Sequence, residues 1–203
     1  MKAGERDEFL RAVWQVLVAG KLDASELVFV DEMGTHISLA PVYGYSPRGE
    51  RVYLEVPRNR GKNTTLIASM STGGMGECLA VEGAITKILF EAYVERILTP
   101  SLRIGQTVVM DNLSAHKGEK VRELIEARGC KLIYLPPYSP DYNPIEEAFS
   151  KIKGLLRKAA ARTREALIEA LRAAISAVSS TDARDFFEHC GYRYPVQLLR
   201  IEP

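Results

Sequence analysis

Three carboxylates occupy positions from which they could do chemistry. Asp31 follows the apolar run LVFV at residues 27–30, and Asp111 follows TVVM at residues 107–110. Glu146 lies in the turn-rich stretch LPPYSPDYNPIEE at residues 135–147. Short apolar runs of this kind are expected to be buried strands, and sites in α/β sheets form at the carboxyl ends of strands. An acid held at a strand end is rigidly placed. If the two strands are neighbours, Asp31 and Asp111 lie close together, and Glu146 can complete a set of three from a third element. Such a cluster is costly through mutual repulsion, and divalent cations relieve that cost. All-oxygen ligation suits Mg2+ or Mn2+ rather than zinc. Two such ions about 3.5–4 Å apart activate a water or sugar hydroxyl and stabilise the leaving oxygen. The implied chemistry is metal-dependent phosphodiester cleavage or transfer. A lone strand-end Asp is more often a turn former, so the weight rests on two in the same context plus the Glu.

The elements that must position these acids are legible in outline. Asn143 is expected to cap a helix whose first residue is Pro144, with Glu146 and Glu147 in the first turn near the positive end of the helix dipole. Along that helix, Ile145, Phe149, Ile152 and Leu156 form an apolar stripe; Glu146, Ser150, Lys153 and Arg157 form the neighbouring one. Strands are expected at 27–30, 35–39, 51–56, 63–70, 77–81, 107–110 and 131–135. Helices are expected at 5–19 (stripe Phe9, Val13, Trp14, Leu17, Val18), from 84 to 97 (stripe Ile85, Ile88, Leu89, Ala92, Ile97), at 118–128, at 166–178 and at 182–189. Early strands on short connections followed by helix–strand alternation predict an α/β fold with a mixed sheet. Residues 1–25 are expected to be an N-terminal helix or linker, 26–160 an α/β core, and 161–203 a helical extension packed on it.

The chain has 203 residues and a formal net charge of +1, with 27 basic and 26 acidic side chains, so bulk charge excludes little. Its distribution says more. Residues 151–164 hold six basic side chains and no acid, and residues 48–62 hold five against Glu50 and Glu55. Both are candidate polyanion-facing surfaces, or plain solvated faces. The cysteines, Cys78, Cys130 and Cys190, are odd in number and far apart, which argues against a disulfide framework or a CxxC metal site. With no signal-like run and no apolar stretch of membrane-spanning length, a reducing, soluble, cytoplasmic setting without a membrane partner is expected.

Further residues carry weaker signals. Arg58, Arg60 and Lys62 sit in RNRGK, which lacks the first Gly and the final GK[ST] of a phosphate loop, so nucleotide hydrolysis is rejected. With Lys153 and Arg157 they suit contact with a polyanion backbone, which positions such a ligand without reading its sequence. Asn112 either bonds a metal water or phosphate or caps a turn. Glu32 either supports Asp31 or is an exposed strand-end acid. His36 and His189 are read as structural or surface residues, and Tyr138 and Tyr142 as packing the turn.

The chain resembles the catalytic domain of IS630-type transposases, related to the Tc1/mariner group. The resemblance rests on FVDEMG at 29–34, YGYSPRGERV at 43–52, VVMDNLSAHK at 108–117 and LPPYSPDYNPIE at 135–146. Between Asp111 and Glu146 stand 34 residues, the DD34E arrangement. It covers about residues 26–160. The resemblance implies an RNase H-like, five-stranded mixed sheet flanked by helices, with Asp31, Asp111 and Glu146 as catalytic metal ligands for Mg2+ or Mn2+, two ions being expected. His116 and Lys117 fall in the matched motif and are expected to contact phosphate or to support a carboxylate; Glu147 is the neighbour of the match and supports it. The implied activity is cleavage at transposon ends and transfer of the freed 3′-hydroxyl to target DNA. Implied partners are double-stranded DNA at transposon ends and target, a homodimer or higher synaptic complex, and a helix-turn-helix DNA-binding subunit or domain supplied upstream or separately. Two departures stand out: Phe149 where many members have Trp, and no helix-turn-helix reader in this sequence. Two competing readings remain, a non-transposing RNase H-like nuclease and a catalytically inactive DNA-binding or assembly remnant.

Overall fold

The computed structural model describes residues 7–112 and 118–194. A five-stranded mixed sheet organises them. In chain order the strands are β1 (Leu27–Thr35), β2 (Thr64–Ser71), β3 (Gly74–Glu82), β4 (Thr107–Met110) and β5 (Lys131–Tyr134). Their spatial order is β3-β2-β1-β4-β5. Strands β1, β2 and β3 pair antiparallel, while β1–β4 and β4–β5 pair parallel. This is the expected mixed sheet, with the two acid-bearing strands as direct neighbours.

The helices are α1 (Glu8–Trp14), α2 (Lys87–Tyr93), α3 (Thr99–Ser101), α4 (Glu119–Ala127), α5 (Pro144–Ala159), α6 (Arg164–Ser176) and α7 (Ser180–His189). Wider π turns continue α1 over Gln15–Ala19 and join α2 to α3 over Val94–Leu98. Successive strand side chains point to opposite faces, so each strand feeds two cores. On one face Leu27, Phe29, Met33 and Val109 pack with Ile145, Phe149 and Ile152 of α5, with Leu167 and Leu171 of α6 and with Phe187 of α7. On the other, Val28, Val30, Val108 and Met110 pack with Phe90, Tyr93, Val121 and Ile125. Phe149 is fully enclosed, so an aromatic of this size fills its site.

Several expectations are corrected. β1 runs nine residues to Thr35, so 35–39 is no separate strand and Asp31 lies inside β1 rather than at its end. The reason is β2, which supplies antiparallel partners past the point where β4 stops: Asp31 pairs with Ala68, while the parallel pairing ends at Val30↔Met110. Residues 51–56 form no strand, and the whole connection 36–63 lacks regular elements, so β1 and β2 are not joined by a short link. Val52, Tyr53, Leu54 and Val56 are exposed there, with no packed face to reward their loose alternation. The helix stripes also shift. Trp14 is buried as expected, but Phe9, Leu17 and Ile88 are exposed, while Arg11, Phe90, Tyr93, Val94 and Leu98 are buried. The buried positions still recur at three to four residues, so the helical period holds and the face that packs is offset from the expected one.

Candidate active site

β1 and β4 deliver the two Asp side chains together. Beyond the Val30↔Met110 pair, the next residues of the parallel strands are Asp31 and Asp111. Both share the alternation phase of Phe29 and Val109, so both project to the face covered by α5. Leu135 donates its N–H to the Met110 carbonyl, which holds the start of the Pro-rich turn at the end of β4. The chain then passes through Pro136, Pro137 and Tyr138, makes a 3-10 turn at Pro140–Tyr142 and enters α5 at Pro144. Asp31, Asp111, Asn112, Asn143 and Glu146 thereby line one cleft of about 380 Å³, walled by residues 135–140.

The turn is braced from outside. Arg11 of α1 is buried and forms a two-pronged ion pair with Asp141, its Nη1 donating to Oδ1 at 2.9 Å. Its guanidinium also stacks on Tyr142, 4.3 Å from the ring centre. Hydrogen bonding to Asp141 raises the already high Arg11 pKa against the lowering effect of burial. Tyr192 donates its hydroxyl proton to the Tyr142 carbonyl at 2.7 Å and accepts from Trp14 Nε1 at 3.1 Å. Burial is the largest cause raising the Tyr192 phenol pKa, so it stays protonated as a donor. Tyr142 is packed, as expected. Tyr138 is not: it is 57% exposed, with φ at +51°, in the left-handed region that costs an L-residue energy.

Asn143 departs from its expected task. It occupies the N-cap position of α5, but its side chain makes no bond to the helix N–H groups. It donates Nδ2 to Asp31 Oδ2 at 2.8 Å instead, both residues being buried. Asp31 Oδ1 accepts the N–H of Glu32 at 2.7 Å. The capping rule drew attention to Asn143 but concealed this long-range contact, since 112 residues separate the partners.

The other candidates divide by location. Asn112 lines the cleft; Glu32 does not, and alternation turns it towards the opposite face. Glu147 also lies outside the cleft lining and meets His189 of α7, Nδ1 to Oε1 at 2.5 Å. Lys62 pairs with Glu82 at 2.6 Å, while Arg58 and Arg60 are exposed on the 36–63 connection. Lys153 and Arg157 are half-buried on the α5 stripe of Glu146, about 10 and 16 Å further along at 1.5 Å per residue. His116 and Lys117 lie outside the described residues. From the basic run, Lys151 is engaged by Asp182 at 2.6 Å, and Arg162 donates to the Ile37 and Leu39 carbonyls.

The oxygen-only donors suit a hard divalent cation. Asn143 Oδ1 is buried and accepts no hydrogen bond among the described residues, a spare acceptor that a hydrated ion's water would satisfy. Among the described residues, no three acidic, His or Cys side chains form a ready-made coordination cluster. The three acids therefore share a cleft without being gathered around one point, as expected of carboxylates that repel.

A five-stranded mixed sheet of this order, with Asp31 and Asp111 just past the last β1–β4 pair, is an RNase H-like fold. A family model described as a DDE superfamily endonuclease matches residues 26–168, and the chain belongs to that family. Solved Mos1 transposase structures share the fold. The Mos1 strand transfer complex matches with a TM-score of 0.71 at 18% identity, over 92% of this chain and 58% of that one. The Mos1 mariner paired end complex with Mn gives 0.69 at 17%, over 92% and 59%. The catalytic domain of Mos1 mariner transposase gives 0.65 at 13%, over 94% and 91%. The chain thus spans about three fifths of the Mos1 chains in those complexes and nearly the whole isolated catalytic domain. Among curated protein sequences, none matches.

Proposed function

We propose that this chain is the catalytic domain of an IS630-type DNA transposase, with Asp31, Asp111 and Glu146 as its metal-binding triad. The observation that carries the reading is the convergence of these three acids on one cleft from β1, β4 and α5. The Mos1 relatives, solved with Mn and with Mg, support the choice of ion. One or two Mg2+ or Mn2+ ions held by the triad would activate a water or 3′-hydroxyl and stabilise the leaving oxygen. Asp31 and Asp111 present oxygens from the sheet, and Glu146 presents its own from the first turn of α5. Asn112, at the cleft edge, is placed to meet a phosphate oxygen. Lys153 and Arg157 continue the stripe of Glu146 and contact the DNA backbone beyond the reacting phosphate, with Arg58 and Arg60 as further backbone contacts. The same in-line displacement serves cleavage at a transposon end and transfer of the freed 3′-hydroxyl to target DNA, with water as the nucleophile in the first and the hydroxyl in the second.

In this reading, residues 26–160 form the catalytic core, with 1–25 and 161–203 as helical flanks. The working species is a homodimer or larger complex, because two ends must be paired. Sequence-specific recognition of those ends comes from a helix-turn-helix module. The test is a cleavage and strand-transfer assay on terminal-repeat DNA, with Mg2+ or Mn2+ and that module supplied. Asp111→Asn should abolish both steps while the protein still folds. Cleavage persisting in the Asp111→Asn protein would refute the triad.

A further inference from the structure

We infer that Asn143 is a positioning residue for the proposed cation site, its amide N–H fixing the rotation of the Asp31 carboxylate and its buried carbonyl oxygen receiving a hydrogen bond from cation-bound water. The inference rests on the reading of Asp31, Asp111 and Glu146 as metal ligands.

Four other helices show what an N-cap side chain ordinarily does here. Asp7, Thr86, Thr163 and Ser179 each accept a hydrogen bond from a backbone N–H of the helix they cap. Asn143 holds the same position on α5 and forgoes that bond. Its amide reaches across to β1 and donates to Asp31 Oδ2 at 2.8 Å, while the Glu32 N–H occupies Oδ1 at 2.7 Å. These two described donors, one to each oxygen, hold the plane of the carboxylate. The amide orientation is forced, because a reversed amide would set its oxygen against a carboxylate oxygen.

That orientation strands Asn143 Oδ1. It is buried, and no described residue donates to it. Buried polar atoms are rarely left so, and such an atom on a site-lining residue points to a ligand that the protein itself does not supply. The donor it requires is an O–H or N–H within the cleft. Water bound to a divalent cation is a strong donor and belongs to the chemistry already assigned to the triad. A Leu of similar size here would keep the packing and lose both functions. Asn143 also ties the first turn of α5, which carries Glu146, to the strand carrying Asp31, so one side chain couples two ligands of the triad.

The experiment measures Mn2+ affinity by electron paramagnetic resonance on the full chain without DNA, beside melting temperature in EDTA and the metal dependence of cleavage. Wild type, Asp111→Asn, Asn143→Leu and Asn143→Ala are compared. The expected result is Mn2+ binding by wild type, its loss in Asp111→Asn, and a weakening of about 10- to 100-fold in Asn143→Leu, the usual range for partners that orient metal ligands. Raising Mn2+ should then restore cleavage by Asn143→Leu. Asn143→Ala is read by the same criteria should the Leu variant fail to fold. Wild-type Mn2+ affinity in the Asn143 variants, whether or not their melting temperature falls, would overturn the inference and leave the triad standing. Binding that ignores Asp111→Asn would overturn the triad reading, and the inference with it.

Discussion

Glu146 and Glu147 are neighbours in sequence, yet one step around a helix sends them to different tasks. Glu146 lines the cleft, and Glu147 meets His189 on α7. Glu146→Gln should therefore abolish metal-dependent cleavage, whereas Glu147→Gln should leave cleavage near wild type and touch only the α5–α7 contact. Parallel nicking assays separate the two. The choice between these acids was legible only through motif matching, since capping and dipole arguments treat both alike. Arg11 makes the converse point. A buried arginine on an amphipathic helix looks like an error of periodicity until Asp141 and Tyr142 are seen beneath it. Arg11→Met keeps much of the packing and removes the ion pair. It should destabilise the fold by about 1–2 kcal/mol in urea unfolding, discounted for the half-exposed Asp141.

At the scale of elements, α7 is fastened to α5 by a capping box joined to an ion pair. Ser179 accepts from the Asp182 N–H, Asp182 accepts from the Ser179 N–H, and Lys151 donates to Asp182. Ser179→Ala should cost about 1 kcal/mol, the usual loss for an N-cap, measurable by chemical denaturation. The Lys151 and Ser179 hydrogen bonds hold the Asp182 carboxyl down at about 2. A folded-state value below the unfolded one means that the stabilisation is complete above the ordinary Asp value near 3.8. It fades as pH falls from there through about 2. Asp182→Asn should thus melt below wild type at neutral pH, and the two curves should converge as pH falls below about 2. The Ser-x-x-Asp spacing was readable in principle. Its link to Lys151 was not, because 31 residues separate that pair.

For the molecule as a whole, the proposed DNA path runs from the cleft along α5. Lys153→Gln with Arg157→Gln should weaken binding uniformly across DNA sequences. The slope of log affinity against log salt should shrink by about 0.9 for each phosphate that is no longer neutralised, as titration at several salt concentrations will measure. Lys62→Gln should change that slope less, because Lys62 is already paired with Glu82. The basic runs looked alike as sequence. Folding divides them into ion pairs and carbonyl clamps, as with Lys151, Lys62 and Arg162, and cations on the α5 stripe.

The sequence by itself determined the α/β class, the acid-bearing strands and the helix that begins at Pro144, while the assignment of Asp31, Asp111 and Glu146 as a triad came from the family resemblance. The first three follow from local apolar runs and turn residues, which act over short stretches of chain. The tertiary structure decided that β1 outruns β4, that Arg11 props the turn before α5 and that Asn143 reaches Asp31 rather than its own helix. Each of these depends on which distant group arrives to accept a hydrogen bond, supply a strand partner or neutralise a charge. Local patterning carries no record of that partner.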